Sequence, residues 1–248
     1  MAWKSRFSPI FAENSIFHDF SESGILLLED ETTGELIKSS KLPHKDEIKK
    51  WRDTVEADST QFYEICTELG AFPKVDQLYE WSNWLTPPGI LPKRFDTAFY
   101  IAKIDSLPDY AAEDGGETVH FAVMNPFEAL QKSLEEEIIL HPPQFTEISR
   151  MAKFYDLDIL MDYASKRQNR GIKRWCPNQY YFNDCRISAM IGDDLARDIT
   201  DDVPVSDQYK GQDLESNIDE CDNVMRTVWT YKTNEKVTVQ LLSRADDT

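Results

Sequence analysis

The sequence holds no run of about 18 apolar residues, the length a membrane-spanning helix needs. Its longest apolar stretches, such as residues 24–28, are strand-sized, so no membrane span is expected. Positive charge is scarce as well: 27 Lys and Arg stand against 45 Asp and Glu, for a net charge of −18. Nucleic-acid binders usually carry a basic patch, so no nucleic-acid partner is expected. A surface of this sign repels polyanions on average. Any phosphate ligand must therefore meet local cations or metal ions that overcome the field. Cysteine is sparse, with Cys66, Cys176, Cys185 and Cys221 and no CxxC pair, which argues against a zinc ribbon or a dithiol redox motif. The first residues lack the apolar core of a secretory signal, so reduced thiols inside the cell are the expectation. Residues 1–12 carry Lys4 and Arg6 and no acid, a faint organellar-presequence character, and the C-terminus is not of the Ser-Lys-Leu type. No internal repeat is evident.

What is present suits folding. The chain has 248 residues, 41 % of them hydrophobic and 12 % aromatic, enough for one large domain or a domain with an extended tail. A short helix is predicted over residues 15–22, with Gly24 at its C-cap, then a buried strand over 25–28. Residues 45–69 read as helical, in two pieces, with Phe62, Ile65, Cys66 and Leu69 at helical spacing and Gly70 as the stop. Strands are predicted over 78–85, 94–104 and 117–124. Asn125, Pro126 and Glu128 form a capping-box start for a helix with Ala129, Leu130, Leu134 and Ile138 on its apolar face. Pro142-Pro143 opens another helix with Phe145, Ile148, Met151, Ala152 and Tyr155 inward, and 156–166 reads as a separate helix. After Arg174 come a hairpin turned at Asn183-Asp184, an Asp-rich loop over 198–222, and a second hairpin around Thr233-Asn234-Glu235. Strands with intervening helices point to a layered α/β fold.

Four blocks carry a family resemblance. Phe20-Ser21-Glu22-Ser23-Gly24-Ile25-Leu26-Leu27 is similar to the second half of a Nudix box, Arg-Glu-x-x-Glu-Glu-x-Gly followed by an aliphatic residue. Glu80-Trp81-Ser82-Asn83-Trp84-Leu85-Thr86-Pro87 precedes Arg94-Phe95-Asp96-Thr97-Ala98-Phe99. Residues 117–124 lead into Asn125-Pro126-Phe127-Glu128-Ala129-Leu130, and Leu140-His141-Pro142-Pro143-Gln144-Phe145 follows. A weaker fifth match is Ile191-Gly192-Asp193-Asp194-Leu195, similar to Pro-Gly-Asp-Glu-Leu. Together these resemble the acyl-coenzyme A diphosphatase branch of the Nudix hydrolases, named for nucleoside diphosphate-linked moiety X motif 19. The resemblance covers roughly residues 15–195.

The resemblance implies a Nudix-like mixed sheet between helices over residues 1–174, with a β-rich extension over 175–248. It implies hydrolysis of the pyrophosphate of coenzyme A or acyl-coenzyme A to adenosine 3′,5′-bisphosphate and a phosphopantetheine species. The cofactor it implies is Mg²⁺ or Mn²⁺, because divalent ions neutralise the linkage and activate water, and such ions favour oxygen ligands. It also suggests a peroxisomal or mitochondrial setting. Glu22 is the candidate catalytic and metal residue, with His18 and Glu117 as further candidate ligands. Arg94 is a candidate for pairing a phosphate bidentately, or for a structural bond to Asp96 or Glu80. Trp84, with Trp81, Phe95 and Phe99, either lines a ligand pocket or belongs to the core.

The box departs from the family pattern. Its Arg-Glu-x-x-Glu-Glu positions fall on Phe17, His18, Asp19, Phe20, Ser21 and Glu22, so one ligand carboxylate survives. Histidine suits Mg²⁺ poorly, serine is a weak neutral ligand, and Asp19 is turned about 100° from His18 on a helix. The first half of the box has no counterpart, since Gly24 is the first glycine. The expectation is an N-terminally incomplete Nudix domain of impaired activity. The alternative is a non-catalytic homologue that binds a nucleotide-type ligand or a protein partner.

Overall fold

A computed structural model describes residues 25–37, 41–90, 92–104, 123–190, 192–196, 210–213, 224–231 and 237–243. In chain order the elements are β1 (Leu28–Asp30), α1 (Lys45–Ala57), α2 (Gln61–Leu69), β2 (Ala71–Pro73), β3 (Leu78–Leu85), β4 (Asp96–Ala102), α3 (Pro126–Leu134), α4 (Pro142–Met151), α5 (Leu157–Gln168), β5 (Arg174–Trp175), β6 (Asn178–Tyr181), β7 (Cys185–Ala189), β8 (Met225–Tyr231) and β9 (Val237–Ser243). This is the α/β content that the sequence pattern predicts. The predicted helix over 15–22, the strand over 117–124 apart from its last two residues, which are not in a strand, most of the Asp-rich loop and the turn at 233–235 lie outside the described residues. Among the described residues no helix is long and apolar enough to cross a membrane. Packing divides the chain into two units, with boundaries at Trp81/Ser82, Thr97/Ala98, Val123/Met124, Leu160/Met161 and Gly171/Ile172.

In the first unit α1 and α2 are built on helical spacing. Ile48, Arg52 and Val55 of α1 are buried, as are Phe62, Ile65 and Cys66 of α2. They join Leu26, Leu28 and Ala71 in one core. Between the helices the Asp58 carboxylate accepts from the Thr60 hydroxyl at 2.7 Å and the Thr60 amide at 3.0 Å, ending one helix and starting the next. Those bonds hold the Asp58 carboxyl below its usual range. Gly70 closes α2 in the left-handed region at φ 60, where a side chain would be strained. β1 and β2 then pair antiparallel, Leu28 opposite Pro73.

In the second unit β6, β7, β8 and β9 form an antiparallel sheet in that order. Tyr180, Ile187 and Val228 are register partners from strand to strand, which puts all three on one face. They are buried with Phe182, Cys185 and Ala189. A one-residue slip would turn this whole row to the other face, so the pairing is strongly specified. α3 and α4 both pack against β9. Cys66, Cys176 and Cys185 are buried thiols, and burial pushes Cys66 and Cys185 up to about 11 and about 12.

The start of α3 follows the capping pattern, with the Asn125 side chain accepting from the Glu128 amide at 2.9 Å. Its inward face differs from the one predicted. Pro126, Ala129 and Ser133 are buried, whereas Leu134 is 47 % exposed. The covered stripe of the helix runs through Ala129 and Ser133, and Leu134 falls beside it. Tyr155, predicted to point inward after α4, is 77 % exposed because α4 ends at Met151 and the chain turns. α3 itself ends on Glu136 at φ 64, with Glu137 N–H donating to the Lys132 carbonyl at 2.8 Å. That is a left-handed helix stop occupied by a residue with a Cβ. Glu136→Gly is expected to stabilise the chain by about 0.5–1 kcal/mol and Glu136→Val to destabilise it. Urea titration checks the order, and an unchanged midpoint for both variants would show that the turn carries no strain.

Candidate functional site

β3 brings the predicted substrate residues into the fold. Within the second unit, Ser82, Trp84 and Leu85 are buried, and β3 pairs parallel with β5 so that Trp84 lies opposite Trp175. The two indoles stack at 5.6 Å with an interplanar angle of 18°. Trp84 is 4 % exposed, and its Nε1–H donates to Oε1 of Glu147 at 2.8 Å. Glu147 sits on α4 and is fully buried, with Arg150 Nη1 at 3.3 Å from its other oxygen. The Arg150 guanidinium in turn lies 5.6 Å from the Trp175 ring. These contacts close a ring of four side chains, Trp84, Glu147, Arg150 and Trp175. Trp84 therefore serves as a packed hydrogen-bond donor, stacked on Trp175 and with its N–H engaged inside the protein.

Glu147 was not singled out by the sequence reading. The signal available was a Glu and an Arg at i and i+3 on a helix, a spacing too common to stand out. A buried carboxylate needs donors, and losing one costs more than an ordinary hydrogen bond contributes. Trp84→Phe keeps the ring and removes the N–H. It is expected to cost about 1–3 kcal/mol in urea unfolding. A loss below about 0.5 kcal/mol, the range of ordinary surface changes, would mean the bond adds nothing.

Arg94 makes a contact with the backbone. Pro87 and Pro88 follow β3, and the base of the loop is closed by Thr86. Thr86 N–H donates to the Phe95 carbonyl at 2.8 Å, and Thr86 Oγ1 accepts from the Phe95 amide at 3.1 Å. Arg94 Nε donates to the Thr86 carbonyl at 2.7 Å, so Arg94 clasps the loop through the backbone. Asp96, one of the expected partners, is paired with Arg174 at 2.9 Å.

Glu22, His18 and Glu117 lie outside the described residues. Among the described residues no group of three or more His, Cys, Asp or Glu side chains could hold a metal ion. The donors at the box positions are an imidazole, a hydroxyl and one carboxylate, a set that fits Mg²⁺ poorly.

The fifth sequence block does have a visible role. Asp193 is buried and accepts from Arg226 Nε and Nη2, both at 2.7 Å, and from the amides of Met225 and Leu195, both at 2.8 Å. It ties residues 192–196 to β8.

Comparison with known proteins adds a family. A family model described as the NUDT19 Nudix domain matches residues 11–151. The chain is 35 % identical over 191 residues to acyl-coenzyme A diphosphatase NUDT19 of Gallus gallus, covering 73 % of the chain and 50 % of the relative. The protein of the same name in Xenopus laevis is 34 % identical over 189 residues, covering 73 % and 49 %. That of Homo sapiens is 34 % identical over 184 residues, covering 71 % and 48 %. The chain thus spans about half the length of these curated relatives. No solved structure matches it.

Proposed function

Because the chain belongs to the Nudix hydrolase family, in its NUDT19 branch, we propose that it binds a coenzyme A-class nucleotide and hydrolyses the pyrophosphate far more slowly than an acyl-coenzyme A diphosphatase with an intact box. The observation that carries this reading is the box itself, where His18 and Ser21 stand at two carboxylate positions and Glu22 remains. Binding and chemistry separate here for a physical reason. Recognition uses the scaffold, and the branch-specific segments around Trp84 and Pro142 are ordered and locked together through Glu147. Hydrolysis depends on neutralising a doubly charged linkage while water attacks phosphorus. In the family divalent ions supply that neutralisation, and their loss removes several kcal/mol of barrier lowering. The donor set at positions 18, 21 and 22, an imidazole, a hydroxyl and one carboxylate, does not fit such an ion.

The test uses the purified 248-residue chain. Calorimetry with coenzyme A is expected to show saturable binding. Chromatography for adenosine 3′,5′-bisphosphate, with Mg²⁺ or Mn²⁺ present, is expected to show little product. Turnover on the order of one per second or more, the scale of ordinary enzymes, would overturn the reading.

A further inference from the structure

The second unit holds a cationic aromatic cluster that the proposed function does not use. Arg186 on β7 and Trp229 on β8 are register partners, and the guanidinium carbon lies 4.4 Å from the indole centroid. His141, the residue before α4, faces the same indole at 6.2 Å with an interplanar angle of 25°. Arg186 is half-buried and His141 is exposed, so the cluster opens to solvent on one side. Its polar groups are uncommitted. Arg186 Nε and Trp229 Nε1 are buried donors without an acceptor. Two residues along β8 on the same face, Thr227 is 1 % exposed and its hydroxyl also lacks a partner.

Buried donors are nearly always satisfied, so the unmet Arg186 Nε and Trp229 Nε1 mark this cluster as short of an acceptor. The charge pattern agrees. Among the described residues Arg150, Arg174 and Arg226 each hold a carboxylate. Among the described residues Arg186 has no ion pair with a carboxylate. An acidic protein that keeps an arginine away from its own carboxylates leaves a local positive potential in a negative field. The N-terminal end of α4 beside His141 adds to it.

We propose that Arg186, His141 and Trp229 form a subsite for a phosphate monoester, which within the coenzyme A reading is the ribose 3′-phosphate. The guanidinium supplies paired N–H donors to the phosphate oxygens. The imidazole adds a further donor, and the indole holds the guanidinium flat. This inference rests on the coenzyme A reading, and the ligands below separate the two.

Calorimetry on the full chain compares coenzyme A, dephospho-coenzyme A and inorganic phosphate. Wild type is expected to prefer coenzyme A over dephospho-coenzyme A by about tenfold, the size of one charge-assisted contact. Arg186→Gln should abolish the preference and leave dephospho-coenzyme A binding unchanged, and Arg186→Lys should keep part of it. If Arg186→Gln does not fold, His141→Gln at an exposed position still tests the cluster and should lower the preference about threefold. Equal binding of both nucleotides by wild type, or a preference that survives in folded Arg186→Gln, overturns the subsite and leaves the coenzyme A reading intact. If neither nucleotide binds, the coenzyme A reading fails. Inorganic phosphate binding that is lost in Arg186→Gln would then support a phosphate site for another ligand, and no phosphate binding would overturn it.

Discussion

Asp193→Ala is expected to destabilise the chain by about 3–5 kcal/mol, the largest single-residue effect on stability anticipated here. Asp193 and Arg226 are both fully buried at their side chains, joined by two bonds of 2.7 Å. Removing the carboxylate takes two charge-assisted bonds from a buried guanidinium and also releases the amides of Met225 and Leu195. A loss of that size is a large share of the 5–15 kcal/mol that holds a typical domain. Asp193→Asn should cost less, because the amide oxygen still accepts while the charge is gone. Replacing both partners with apolar residues of similar volume should cost less than Asp193→Ala, because a stranded charge is worse than a missing pair. Urea unfolding of the single and double variants forms the cycle. If the double variant is as unstable as the sum of the singles, the two residues act independently and the pair is not what locks residues 192–196 to β8.

That pair also marks where sequence reading stops. Residues 191–195 stood out as a motif, but nothing in them names Arg226, 33 positions away. Glu147 and Trp84 are likewise 63 positions apart, and neither alone suggests the other. Local signals fared better because their causes are local. Asn125, Pro126 and Glu128 sit within one turn, and the predicted cap forms. Gly70 occupies the left-handed stop that its missing Cβ suits. The hairpin at Asn183-Asp184 follows from alternation on each side of a turn pair. Leu134 and Tyr155 were misread because apolar character was taken for burial, while neighbouring elements decide which stripe of a helix is covered. Arg94 adds a contact that charge does not suggest, its Nε donating to the Thr86 carbonyl just beyond β3. For the box the sequence remains the whole source, since residues 17–22 fall outside the described set.

The box therefore yields the second large expectation. His18→Glu with Ser21→Glu is expected to raise hydrolysis of coenzyme A by at least about a hundredfold over the unaltered chain with Mg²⁺ or Mn²⁺ present. Metal-assisted stabilisation is worth several kcal/mol, and each 1.36 kcal/mol is tenfold in rate. The two substitutions place carboxylates at positions three apart, one residue from Glu22, where a helix would gather them on one side. Hard divalent ions prefer such oxygen ligands to the imidazole and hydroxyl now present. The gain should require metal and disappear with chelator, and it should vanish again when Glu22→Gln is added. Coenzyme A affinity should change little, because the substitutions supply charge stabilisation for the reaction and not the contacts that recognise the nucleotide. A double variant as inactive as the starting chain would place the defect outside these two positions. Strong activity in the starting chain that survives Glu22→Gln would mean that the box does not carry the chemistry at all.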